Sequence, residues 1–456
     1  MAEFIENRTF DEIQLGDVDS LSRTLAPEDL ELSRALAGGD GAEPAWTLWT
    51  AGLVTALIGL RLPGPGAEMI SQTLRFLAAP VVGDTITATA QAREKGPGSI
   101  VAFDCRLTGS GGELLASGEA EVRAPVQKLR RAIAVPPDIR VSDHDGYRRL
   151  IEATRGGPPA PTAVVHPCSA AALLAAVDAA EAGLIAPILV GPESKIRKAA
   201  EEAGKSLDGL RIVPAAHSHE AAAKAVELAR AGEAQLLMKG SLHTDELMGA
   251  VVAAATGLRT ERRISHVYVM DVPSHPAPLL ITDAAINIAP TLLEKADIIR
   301  NAIDLAHVIG IEQPRVAILS AVETVNPALP STLEAAALCK MADRGQITGG
   351  LLDGPLAFDN AVSEAAAAEK GIVSPVAGKA DILVAPNLEA GNMLAKQLTF
   401  LGGADAAGVV LGARVPIILT SRADSLRTRL ASCAVAVLMA RAATKAAPGL
   451  AKESAA

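Results

Sequence analysis

Residues 371–397 read GIVSPVAGKADILVAPNLEAGNMLAKQ. The stretch parses as a loop, a short apolar run at 381–385 and a second loop feeding a helix that starts near Glu389. Two glycine-bearing loops beside one strand end let backbone N–H groups and a helix N-terminus face an anion. Ser374, Gly378, Lys379, Gly391 and Asn392 are the residue types that would line such a site, although the same glycines also serve as turn punctuation. On either side the pattern repeats. Apolar runs at 162–166, 186–191, 235–240, 266–271, 279–283, 315–320, 381–386 and 415–421 alternate with alanine-rich helical segments at 170–182, 219–232, 290–309 and 388–401. This alternation predicts an α/β fold, a parallel sheet with helices on both faces whose ligands bind at the carboxyl ends of the strands.

Those ends are polar. Lys239, Gly240, Ser241, His243 and Thr244 follow one run, Ser320 closes another, and Asp353 and Asp359 lie after a third. The last run opens into SRADS at 421–425, which puts a hydroxyl (Ser421), a fixed positive charge (Arg422) and a carboxylate (Asp424) at the start of a helix. Such a turn can hold phosphate on Arg422 and the helix N-terminus while Ser421 faces a carbonyl oxygen. Each piece has a plainer reading: SRADS is also a competent helix cap, His243 also suits a structural histidine, and Lys239-Gly240 also suits a turn. Polar groups at so many ends on one side of the sheet favour a shared site.

A chain of 456 residues exceeds one ordinary core, so two or three domains are expected. The net charge of −10, with no long basic run, argues against nucleic acid as a partner. The acidic start, MAEFIENRTFDEIQLGD, lacks the apolar core of a signal peptide, and no apolar stretch reaches the roughly 20 residues of a membrane span. Cys105, Cys168, Cys339 and Cys433 are scattered without CxxC spacing, which suits free thiols in a cytoplasmic protein, and no metal-ligand spacing occurs.

The first 126 residues have a different rhythm. A helix at 27–36 and an almost wholly apolar one at 46–61 (WTLWTAGLVTALIGLR) stop at LPGPG, residues 62–66. Alternating runs follow at 69–76, 84–93, 99–108 and 113–123, separated by glycine-rich turns. One buried helix followed by antiparallel strands predicts a sheet wrapped around that helix. A linker at 127–146 joins this domain to residues 147–456.

The motifs TFDEI, LPGPG, SQTLRF, PVVGDTITATA and SGEAEV, in that order, resemble the MaoC-like hot-dog domain of (R)-specific enoyl-CoA hydratases. In that family an Asp and a His activate the water that adds to the enoyl thioester. Here the corresponding region, 38–46, retains Asp40 only, and no histidine occurs in residues 1–143. Hydration needs a positioned base and an acid, so the domain is read as having lost its catalytic pair. It is retained for dimerisation or for holding a CoA ester.

In the second part, MKGSLHTDELMGAV, RRISHVYVMD, ITDAAINIAP, VAILSAVETVNP, LLDGPLAFDNAVS, GIVSPVAGKADILV, LEAGNMLAKQL and PIILTSRADS resemble the phosphate acetyl/butyryl transferase family, nearest its butyryl branch. The two-part chain is similar to bifunctional enoyl-CoA hydratase/phosphate acetyltransferases. The resemblance implies two α/β subdomains and reversible acyl transfer between CoA and inorganic phosphate. It implies no permanently bound cofactor, coenzyme A as substrate, and a homodimer or higher oligomer. It assigns the oxyanion to Ser421 and phosphate to Arg422. The family aspartate that takes the thiol proton lies, in the acetyl branch, about a turn further along, where this chain has Leu426, Arg427 and Thr428. Asp424 is the nearest carboxylate and takes that role. Asn387 stands where the family usually shows aspartate. Three other readings stay open: a working hydratase, a CoA-ester sensor without catalysis, and a nicotinamide dehydrogenase, the last lacking a GxGxxG after any strand.

Overall fold

A computed structural model describes residues 4–37, 45–132, 145–419 and 424–446. The chain forms two compact units, residues 1–142 and 143–456.

In the first unit the order is β1 (Phe4–Glu6), β2 (Val18–Thr24), α1 (Pro27–Ala37), α2 (Ala45–Leu60), β3 (Glu68–Phe76), β4 (Thr85–Gly96), β5 (Ile100–Thr108), β6 (Leu114–Arg123) and β7 (Arg130–Ala132). Five strands form an antiparallel sheet in the order β2-β4-β5-β6-β3. Its inner face follows the period of two that the sequence shows: Ile86, Ala88 and Ala90 on β4 and Val101, Phe103 and Cys105 on β5 are buried. They pack against Leu53, Val54, Leu57 and Ile58 of α2. This is the helix in a curved sheet expected of a hot-dog domain. β2 escaped the sequence reading because VDSLSRT has too few apolar residues to mark an edge strand. β7 pairs with β1, so part of the expected linker belongs to this unit.

The second unit runs α3 (Asp145–Ala153), β8 (Ala160–Val165), α4 (Ala170–Glu181), β9 (Ile185–Gly191), α5 (Glu193–Ala203), β10 (Arg211–Pro214), α6 (Ser218–Arg230), β11 (Leu236–Lys239), α7 (Thr244–Val251), β12 (Ser265–Asp271), β13 (Leu279–Thr282), α8 (Leu292–Val308) and β14 (Arg315–Leu319). It continues with α9 (Pro330–Asp343), β15 (Leu351–Leu356), α10 (Phe358–Val362), α11 (Glu364–Glu369), β16 (Ile382–Val384), α12 (Leu388–Phe400), β17 (Asp405–Leu411), β18 (Ile417–Ile418) and α13 (Leu426–Ala446). All eleven strands join one sheet, β10-β9-β8-β11-β18-β17-β12-β13-β16-β14-β15.

Two expectations need correction. The sheet is mixed, because β17 is antiparallel to both β18 and β12, and β12 is antiparallel to β13. The connections 272–278 and 412–416 are too short for a crossover and permit only an antiparallel return. As a result the carboxyl ends of β8 to β11 and β18 reach one edge, and those of β13 to β16 reach the opposite edge. The polar strand ends therefore do not share one side. β17, DAAGVVL, is absent from the sequence reading because its small residues carry no clear period.

The two-subdomain expectation is met by lobes on a common sheet. One face carries a single core spanning both lobes, with α4, α8, α9 and α13 over it. The other face carries two separate cores, one under α6 and α7, the other around β13 and α12. Between those two cores the sheet floor is His266, Tyr268 and Gly408, with Tyr268 and Gly408 directly opposite in the β12–β17 pair.

At the amino ends of β14 and β16, Asp381 clamps Arg315: Nε donates to Oδ2 at 2.8 Å, Nη2 to Oδ1 at 2.9 Å and the Arg315 backbone N–H to Oδ2 at 2.8 Å. The nearly buried carboxylate raises the guanidinium pKa. Asp381→Ala is expected to cost about 2 to 3 kcal/mol in urea denaturation, because it strands three donors at once.

Candidate active site

Residues from three strand ends and one helix converge at the first edge. β8, β11 and β18 are parallel neighbours, with Val165 abreast of Lys239 and Met238 abreast of Ile418. Gly240 follows because a Cβ there would lie 2.4 Å from the Val165 carbonyl oxygen and 2.7 Å from that of His166. This close approach locks the two loops. Gly240 N–H donates to Val165 O at 2.9 Å, Ser241 N–H to His166 O at 2.9 Å, and the Ser169 and Ser241 hydroxyls bond at 2.6 Å. His166 holds a left-handed backbone, φ 53°, which turns the chain into α4. Ser169 caps α4, and His243 and Thr244 open α7, so two helix N-termini face the same loop cluster.

The start of α13 joins them. Arg429 Nη1 donates to Ala171 O at 3.0 Å, and Ser425 Oγ caps the helix by accepting from Thr428 N at 3.1 Å. Ser421 and Arg422 lie outside the described residues. Leu419, on the near flank, is one residue past β18, level with Lys239. Asp424, on the far flank, lies close enough to Tyr268 that its charge adds to burial in raising the phenol pKa. Burial also raises the Cys168 thiol, Lys195 partly opposing it.

The other candidates from the sequence lie in the second lobe, where each has a local bond. Ser320 Oγ pairs with Ser331 Oγ at 2.8 Å. Asp353 sits within β15 rather than after it and accepts from Gly354 N at 2.8 Å. Asp359 accepts from Asn360 N at 2.9 Å. Ser374 Oγ accepts from Val376 N and Ala377 N, and Lys379 pairs with Glu364 at 3.5 Å beside Gly378. Gly391 lets α12 close on the chain after β13, since a Cβ would fall 2.3 Å from Asp283 O, and Asn392 Nδ2 donates to Ala284 O at 2.9 Å. The two glycine loops of 371–397 thus stand at opposite ends of β16, not beside one end, because the strand itself separates them. The 374–379 turn shares the first edge with Leu419 but lies four strands away, about 19 Å at 4.8 Å per strand.

Sequence reasoning missed several side chains near the inter-lobe floor. Asp283 is buried and accepts from Ala285 N at 2.9 Å, Ile286 N at 3.1 Å and Asn287 N at 3.1 Å, as well as from Asn287 Nδ2. Arg263 Nε reaches Asn287 Oδ1 at 2.7 Å. His266 is fully buried beside Asp283 and stacks edge-on against Tyr268, ring centroids 4.3 Å apart. The clue was present: RRISHVYVMD and ITDAAINIAP interrupt apolar runs with ionisable residues. Among the described residues no cluster of three His, Cys, Asp or Glu could hold a metal ion.

Residues 215–437 match the family described as Phosphate acetyl/butaryl transferase. A phosphate acetyltransferase from Rhizobium meliloti is 68% identical over 294 residues, covering 64% of this chain and 93% of that protein. The chain belongs to the phosphate acetyl/butyryl transferase family. A phosphate butyryltransferase from Clostridium acetobutylicum is 45% identical over 263 residues, 58% of this chain and 87% of that protein. The crystal structure of a branched-chain phosphotransacylase from Enterococcus faecalis V583 superposes with a TM-score of 0.55 at 30% identity, covering 62% of this chain and 99% of that one. The matched residues lie within the second unit, which is therefore the transferase unit.

Burial in that floor has a measurable signature. Desolvation lowers the His266 pKa from 6.5 to about 4, with Asp283 opposing, so folding favours the neutral ring. The folded state binds fewer protons than the unfolded one between these values. The stabilisation is complete above pH 6.5 and drains away as pH falls toward 4. Between pH 7 and pH 5 wild type is expected to lose ~2 kcal/mol from this group, and His266→Phe to lose less, as read from urea midpoints at both pH values.

Proposed function

We propose that the second unit transfers a short acyl group, acetyl or butyryl, reversibly between coenzyme A and inorganic phosphate: acyl-CoA plus phosphate gives acyl phosphate plus CoA. The observation that carries this is the 68% identity to a phosphate acetyltransferase across nearly all of that protein. In the direction of CoA acylation, Asp424 takes the thiol proton and the thiolate attacks the acyl phosphate carbonyl carbon. Ser421 donates to the resulting oxyanion, the C–O bond to phosphate breaks, and Arg422 holds the departing phosphate. The reverse direction returns the proton from Asp424 to the leaving sulfur. A thiol of pKa about 8.5 is mostly protonated at neutral pH, so the carboxylate assists both directions.

The loop cluster of Lys239, Gly240, Ser241, His243 and Thr244 supports this reading by setting donors and two helix N-termini beside the Leu419 and Asp424 flanks, where phosphate and the CoA phosphates carry negative charge. Coenzyme A enters as substrate, with no permanently bound cofactor required. The working form proposed is a cytoplasmic homodimer or higher oligomer. Among the described residues no helix is long and apolar enough to cross a membrane. The first unit is proposed to hold a CoA ester or to mediate association rather than to hydrate one.

Ser421→Ala is expected to lower kcat for phosphate-dependent CoA release from acetyl-CoA or butyryl-CoA by ~10² to 10³, and Arg422→Gln to raise the KM for phosphate, with circular dichroism unchanged. Full turnover in both variants would refute the assignment. Tight acyl-CoA binding with no acyl phosphate formed would identify a sensor instead, and crotonyl-CoA hydration by the full chain would restore the hydratase.

A further inference from the structure

A mainly apolar opening lies on the sheet face opposite the inter-lobe floor. It is a cavity of about 460 Å³ between α3, α13 and the upper ends of β12 and β17. Leu150, Ala153, Val269, Ile309, Ala431 and Leu438 are among its apolar walls. The volume falls in the range of small-molecule pockets.

Its polar fittings are few. Asp271 and Asp405 face each other in the β12–β17 pair and both line the cavity. Asp405 is engaged by Arg427 at 3.1 Å. Asp271 accepts one bond, from Gly146 N at 3.0 Å, and has no cation within salt-bridge distance among the described residues. Arg149 lies exposed at the mouth. A carboxylate with spare acceptor capacity beside an apolar wall selects a ligand that brings a hydrogen-bonded cation to it and an aliphatic body to the wall.

The cavity is also wired to α13. The Arg427 guanidinium that holds Asp405 lies over the Tyr147 ring, 5.0 Å from its centroid, and Tyr147 lines the cavity. Arg427 is three residues from Asp424. At the other end of the same helix pair, Arg441 donates to Thr154 O at 2.7 Å and Pro158 O at 3.0 Å, tying the end of α3 remote from Tyr147 to α13.

We propose that this cavity is an effector site for a small primary amine with a short branched or cyclic aliphatic body, and that its occupancy shifts the first turn of α13 through Tyr147 and Arg427. The coupling half rests on the transferase reading; the binding half does not. The probe is 3-methylbutan-1-amine, with 3-methylbutan-1-ol and 3-methylbutanoate as matched neutral and anionic controls, on the full chain. The amine, at about ten times its Kd, is expected to raise Tm by ~2 °C, and the alcohol and carboxylate less. Asp271→Asn keeps an oxygen for Gly146 N–H and should abolish the preference for amine over alcohol while basal turnover stays within about twofold. Ala153→Phe should fill the cavity and abolish both responses. The amine should change KM for phosphate at least about twofold in wild type and not in Asp271→Asn. No Tm shift, equal shifts from all three compounds, or an unaltered amine preference in Asp271→Asn would overturn the site. A Tm shift with unchanged KM would overturn the link to α13. A chain with no transferase activity would still report the Tm shift, so the two failures are distinguishable.

Discussion

The seven-residue antiparallel pairing of β12 with β17 is the constraint on which the transferase unit depends. Without it the unit would be two smaller sheets, each parallel but for one antiparallel strand, β17 or β12, at its exposed edge. With it, five strands and four strands of opposite sense share one hydrogen-bonded surface, and one face is covered by a continuous core. The other face stays divided, since Gly408 and the ionisable side chains of His266 and Tyr268 occupy the line where the two remaining cores would have merged.

How much of this was legible differs by element. The helix 46–61 and the alternating strands after it were readable because a half-buried sheet writes its burial with a period of two and a buried helix writes it all round. Most strands of the second unit, though not the short β10 or β17, were also readable as isolated apolar runs, within a few residues at either end. Their direction was not. Direction is decided by the lengths of 272–278 and 412–416 and by β17, whose small residues carry neither period. Missing β17 turned a mixed sheet into a parallel one, and from that error came the expectation that every polar strand end faced one site.

The candidate residues divide along the same line. Lys239, Gly240, His243 and Thr244 lie where the strand-end argument places them, because β8, β11 and β18 are truly parallel neighbours. Ser320, Asp353, Asp359, Ser374 and Asn392 lie in the second lobe, and each makes a local hydrogen bond. Conversely, His166 and Ser169 gave little signal, since a histidine and a serine around a proline and a cysteine look like any loop. Their importance comes from the Gly240 contact, which joins positions some seventy residues apart.

The strap of α3 over α13 has a consequence for biosynthesis. The helix that opens the transferase unit rests on the helix that closes it, and β18 is threaded between β11 and β17 near the middle of the sheet. Ribosomal synthesis delivers these last pieces after every other strand has emerged, so the first lobe waits with an open slot at β11 until the final elements leave the tunnel. The unfilled slot is then the part of the nascent transferase unit that chaperones have to shield.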